Sequence, residues 1–237
     1  METSGILNAI RADLAAAGDD DFKQKSQRFF KEPAIFYGIN NTKLKEINRK
    51  HLSEVKKLTK PQVFELFESM LKNDYNEEAF LVTDWLPRFK GQFEKDDLKI
   101  FKSWIDKYLN NWAKIDTFCN HSVADHLEKF PNDIDEIKSW VKSRNRWMRR
   151  AAAVTLILPA RRGKYLSEVF EIADALIADE DDMVRKGYGW LLKEASRQHQ
   201  REVFEYVMKN KALMPRVALR YAIEKMPENL RKKAMEK

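Results

Sequence analysis

The stretch Asn111-Trp-Ala-Lys-Ile-Asp-Thr-Phe-Cys119 puts a carboxylate where the spacing asks for carbon. Trp112, Ile115 and Cys119 recur at i, i+3 and i+7, one face of a helix, and Asp116 falls on that face one turn after Trp112. A carboxylate on an apolar stripe costs free energy unless it is paired or opens on a cleft. At a cleft it can balance positive charge that develops in a transition state, or take a proton from an attacking water. At the edge of the stripe it would instead cap a neighbouring helix as a structural acid. The spacing alone leaves both readings open, and Asp84 beside Trp85 repeats the acid–indole pattern elsewhere.

Few other chemistries fit. The chain has no GxGxxG or GxxxxGK loop. Cys119 is its one cysteine, which excludes an intrachain disulfide and a cysteine-built zinc site and suits a reducing compartment. His51, His121, His126 and His199 form no HxxxH pair, so neither a metal nor a cofactor is expected.

The elements that must position Asp116 are helical. With 7 glycines and 7 prolines in 237 residues, tight turns are scarce, and 34% charged residues suit helices with one wet face. Thr59-Lys60-Pro61 is a helix start, followed by Val63, Leu66, Phe67, Met70 and Leu71 on one face. The same periodicity runs through Phe80–Phe89, Phe101–Tyr108, Val169–Leu176 and Val203–Val207. The loops are short and polar and none is a flexible linker, so residues 1–237 read as a single domain.

A repeat lies underneath. Segments opening at Met148, Met183 and Met214 align, 35 and 31 residues apart, each with arginine two positions on: Arg150, Arg185 and Arg216. Asn76–Leu81 resembles an earlier copy without the arginine. Stacked helix pairs of this length make an α-solenoid, and Ala151, Ala152, Gly187 and Gly189 would let neighbouring helices come close. The arginine column is either a basic stripe matched to phosphates or a set of ion pairs with acids of the next repeat.

Charge favours a polyanion. The net charge is +7, yet residues 1–140 hold 22 basic and 24 acidic residues, and residues 141–237 hold 22 and 13. The longest apolar run, Ala151–Leu158, is too short to span a membrane, and the N-terminus lacks a secretory signal pattern.

Four stretches together carry a family resemblance: Phe29-Phe30-Lys31 with Phe36-Tyr37-Gly38-Ile39; Trp112-Ala-Lys-Ile-Asp116; Trp147-Met-Arg-Arg150-Ala151; and Lys186-Gly-Tyr-Gly-Trp190-Leu-Leu-Lys193. From about Phe29 to Met226 the chain resembles the AlkD-like family of HEAT-repeat alkylpurine DNA glycosylases. The resemblance implies an all-α, right-handed α-α superhelix of about six HEAT-like helical repeats. It implies a monofunctional DNA glycosylase that releases cationic alkylated purines, of the 3-methyladenine and 7-methylguanine type, from double-stranded DNA.

The same resemblance supplies residue roles. Asp116 would be the catalytic acid, and Trp112 and Trp190 the paired tryptophans against the lesion. Arg150 and Lys193 would hold phosphate, and Phe29 would close the cleft. Lys114, Arg149, Arg185 and Lys186 complete the expected DNA contacts. The family's Trp-Trp-Asp-Ser-Val-Asp motif reads here Asn111-Trp-Ala-Lys-Ile-Asp116, which loses one tryptophan and one acid and gains Lys114. The alternative expectation is a DNA-binding module that recognises distorted or branched duplex by shape without catalysis. Either would be a monomer in the cytoplasm, on the nucleoid when bound to DNA, with no membrane role.

Overall fold

The computed structural model describes residues 3–236, and among these every regular element is helical; a lone bridge pairs Ile35 with Tyr75. The all-helical class expected from the periodicity is the class observed. The chain forms two compact units, one of residues up to Glu94 with Lys107–Lys114, the other of Lys95–Asp106 with everything from Ile115 onward.

The first unit contains α1 (Thr3–Ala17), α2 (Asp20–Gln27), α3 (Asn41–Val55), α4 (Lys60–Lys72) and α5 (Asn76–Trp85). Helix α4 starts where Thr59 and Gln62 form a capping box, with Pro61 in the first turn where its missing N–H is not needed. It buries Val63, Phe64, Leu66, Phe67, Met70 and Leu71, each contributing about 1.5–3 kcal/mol over the exposed state. Helix α1 packs on α3 and α4 through Ile6, Ile10 and Leu14. The first turn of α5 pins an extended segment: the Glu77 carboxylate accepts from the N–H groups of Tyr37, Gly38 and Ile39 at 3.1, 2.9 and 3.2 Å. Asn76 donates from its backbone and its side chain to the Ile35 carbonyl, both at 2.9 Å.

Helices α6 (Asp97–Tyr108) and α7 (Trp112–Phe118) give residues to both units. A π-helical turn, Cys119–Val123, leads from α7 to α8 (Ala124–Lys129). There follow α9 (Ile134–Ser139), α10 (Arg146–Thr155), α11 (Ile157–Arg161), α12 (Leu166–Leu176), α13 (Asp182–Ala195), α14 (Gln200–Asn210), α15 (Arg216–Ile223) and α16 (Glu228–Met235). The three aligned segments of the sequence map to α10, α13 and α15, and α13 packs against both of the others. Small residues set how near they come. A Cβ on Gly189 would sit 2.8 Å from the Ala218 carbonyl oxygen and from Tyr221 Cβ, a separation real Cβ atoms do not adopt.

The repeat also shows in the ion pairs. Lys102–Glu136, Lys138–Glu171, Arg149–Asp179, Arg161–Glu194, Arg162–Glu128 and Lys193–Glu224 each join residues 30 to 34 apart in sequence. One repeat thus reaches the next by charge as well as by apolar packing. Among the described residues, no helix is long and apolar enough to cross a membrane.

Candidate active site

Asn111, where the related motif has tryptophan, starts α7. Its side-chain oxygen accepts from the Lys114 N–H at 3.1 Å, an N-cap that satisfies an otherwise unpaired donor. Its amide nitrogen donates to Asn76 at 3.0 Å. Lys114 is fully buried. Its ammonium donates to the Asp74 carboxylate at 2.5 Å, the Asp74 carbonyl at 2.8 Å and Asn110 at 3.2 Å. Asp74 holds a left-handed backbone, φ 63°, which turns its carbonyl and carboxylate toward the same ammonium. Burial pushes the Lys114 pKa down, and Asp74 opposes the shift. Lys114 therefore cannot be the DNA contact expected of it: every ammonium proton faces the fold.

The aromatic ring beside Trp112 is Phe30. The two rings stack with centroids 5.4 Å apart and planes 22° off parallel, and Phe36 meets Phe30 edge-on at 5.4 Å. Phe29, the expected aromatic, is 76% exposed. The sequence carried two adjacent phenylalanines, and spacing could not choose between them.

In the second unit Asp116 is met by a complete guanidinium fork. Arg150, on α10, donates Nε to Asp116 Oδ1 at 2.8 Å and Nη2 to Oδ2 at 2.7 Å, while Nη1 reaches the Met183 carbonyl. Burial raises the Asp116 pKa, and Arg150 works against that rise by charge and by hydrogen bonding. The arm runs along Gly187, where a Cβ would lie at contact distance, 3.4 Å from Arg150 Cγ. Cys119, one turn after Asp116, is buried and its thiol is pushed far up, which makes it inert. Arg150 was expected to hold phosphate, yet all three of its nitrogens are committed inside the fold. The other two arginines of the column are engaged through one nitrogen each: Arg185 donates Nε to the Asp179 carbonyl at 2.5 Å, and Arg216 donates Nη2 to the Met235 carbonyl at 3.4 Å. Arg149 chelates the Asp179 carboxylate at 2.6 and 3.2 Å.

Trp190 is half-buried on α13. Lys186 and Lys193 fall one turn to either side of it on the same helix face. Lys186 pairs with Asp182 at 2.7 Å, and Lys193 with Glu224 at 3.1 Å while lying over the Tyr221 ring. Both partner carboxylates are partly exposed. Three participants escaped the sequence reading: Phe30, Asp74 and the Met183 carbonyl. Only Phe30 had a signal, its place in the aromatic pair.

The comparisons agree with this architecture. A family model described as "DNA alkylation repair enzyme" matches residues 10–226. The chain belongs to the DNA alkylation repair enzyme family. Among solved structures, a predicted DNA alkylation repair enzyme from Enterococcus faecalis superposes with a TM-score of 0.80 at 16% identity, covering 89% of this chain and 97% of that one. The alkylpurine DNA glycosylase AlkC of Pseudomonas fluorescens, bound to DNA containing an abasic site analog, superposes with a TM-score of 0.56 at 17% identity. That match covers 97% of this chain and 64% of AlkC. No curated protein matches the sequence. At these identities the two structures speak to the fold of this DNA alkylation repair family member, and the residues speak for its chemistry.

Proposed function

We propose that this family member is a monofunctional, AlkD-like DNA glycosylase, working as a monomer, that hydrolyses the N-glycosidic bond of cationic alkylated purines in duplex DNA. The observation that carries the proposal is the Asp116–Arg150 pair, a carboxylate on α7, one helical turn after Trp112, held by a rigid fork from α10. A neighbouring fold that is an alkylpurine DNA glycosylase bound to DNA lends support.

An alkylated purine of the 3-methyladenine or 7-methylguanine type already carries positive charge and leaves without protonation. As the glycosidic bond breaks, positive charge gathers on the deoxyribose. The ionised Asp116 stabilises that charge and orients the attacking water, taking its proton as the new C–O bond forms. Each carboxylate oxygen has a second lone pair beyond the one engaged by Arg150. Arg150 is thus a positioning residue: it keeps Asp116 charged and aimed. Trp112 and Trp190 offer faces that attract a cationic base, and Lys186 and Lys193 hold phosphate. Arg149 and Arg185 brace the turn at Asp179.

The test is base release from duplex DNA carrying one 7-methylguanine or one 3-methyladenine, with Asp116→Asn alongside. Release by the wild type alone establishes the reaction and its acid. A second reading, a DNA-binding module that recognises distorted or branched duplex, is favoured by the occupation of both Asp116 oxygens. No release from either lesion, with tight binding to branched duplex, selects that reading.

A further inference from the structure

Arg149 and Arg150 use every guanidinium nitrogen within the fold. Three other arginines do the opposite. Among the described residues, Arg161 and Arg197 each donate only Nε, both to the same oxygen of Glu194, at 2.7 and 2.6 Å. Among the described residues Arg162 likewise donates only Nη1, to Glu128 at 2.5 Å, and Lys164 lies 3.9 Å from the same Glu128 oxygen. The four cationic side chains are 40–56% exposed. Two carboxylates are thus shared among four cations. Glu194 is buried beneath its pair, so the charge that reaches water here is positive.

The arrangement is built. Arg161 closes α11, Arg162 follows it, and Arg197 lies just beyond α13, so the cations sit at helix C-termini, where the backbone dipole favours them. Gly163 takes a left-handed turn, φ 82°, and its carbonyl lies 3.1 Å from His199 Nε2, which ties the two loops together. The residues come from consecutive repeats: Glu128 from α8, Arg161 from α11 and Glu194 from α13.

We propose that this edge, Arg161, Arg162, Lys164 and Arg197, is a second binding site for the sugar–phosphate backbone of duplex DNA, separate from Asp116 and indifferent to the lesion. It rests on the DNA-repair reading above. Guanidinium forks with open donors match phosphate oxygens in pairs. A hydrophobic protein interface or an inserted membrane helix would call for apolar anchors. The large exposed apolar side chains among the described residues, Phe22, Phe29, Ile35, Ile100 and Leu213, all lie outside this edge.

The experiment measures affinity for undamaged duplex against salt concentration. It compares wild type, the triple variant Arg162→Gln/Lys164→Gln/Arg197→Gln, and the charge-keeping variant Arg162→Lys/Arg197→Lys. Arg161 is retained so that Glu194 keeps a cation, and thermal melting checks that each variant is folded. Each lost phosphate contact lowers the log–log slope by about 0.9, so the folded triple variant should lose about 2 to 3 from the slope. The charge-keeping variant should retain it. A folded triple variant with the wild-type slope overturns the site and leaves the DNA-repair reading standing. A wild type that fails to bind duplex at any salt overturns both. Binding to phosphatidylglycerol vesicles that the triple variant loses, with an unchanged DNA slope, overturns the proposal in favour of a lipid surface.

Discussion

Arg150 meets both carboxylate oxygens of Asp116, at 2.8 and 2.7 Å, and anchors its remaining nitrogen on the Met183 carbonyl of the next repeat. The acid is therefore oriented by a residue that is itself fixed at two ends. Asp116→Asn should lower base release about a hundredfold or more, with DNA affinity retained. It also leaves a buried guanidinium without its carboxylate, so the variant's melting temperature should fall, and rates should be compared below that temperature.

The pair sets a pH dependence. On the proposed mechanism Asp116 acts as a carboxylate, and burial raises its pKa, so activity should fall as pH drops through that raised value. Arg150 favours the charged form. Arg150→Gln removes that help while burial remains, so the acidic limb of the rate profile should move to higher pH. A limb that stays in place would show that another group controls it. Arg150→Lys keeps the charge but loses the fork, and should hold the limb nearer its wild-type position while lowering the rate.

Phe30, rather than Phe29, is stacked on Trp112. Phe30→Ala should reduce turnover by about tenfold through the lost aromatic pairing, whereas Phe29→Ala should leave the catalytic rate near wild type. Single-turnover rates for the two variants, measured side by side, check this.

Lys114→Met should destabilise the fold by about 2–3 kcal/mol, because it removes charge-assisted bonds to Asp74 and Asn110. The salt dependence of DNA binding should not change, since the ammonium never reaches solvent. Denaturant melts and a salt titration together test both halves.

Gly189→Ala should cost about 1–3 kcal/mol by forcing α13 away from α15. Gly187→Ala puts its methyl at ordinary contact distance from Arg150, 3.4 Å, and should be tolerated, a contrast readable from the two melting temperatures.

Much of this was legible along the chain. Helix α4 could be read from Thr59, Pro61 and five apolar residues because capping and periodicity are local, and the structure keeps both. Asp116 stood out because a charge on an apolar stripe violates a local rule. The alignment of Met148, Met183 and Met214 located α10, α13 and α15, because each repeat must present the same face to its neighbour.

Partner choice was not legible. One dimension shows that Arg150 recurs with the repeat. It does not show whether its fork faces a phosphate or a carboxylate 34 residues earlier. Lys114 reads as an exposed cation until the left-handed turn at Asp74 closes over it. Likewise Arg161, Arg162 and Arg197 look no different in sequence from Arg149. What separates them is how many guanidinium nitrogens find an acceptor inside the fold. Sequence by itself determined the helices, their period and the suspect acid, since those follow from residue type and spacing. Tertiary structure decided which charges are spent and which remain available, because an ion pair depends on two side chains meeting in space.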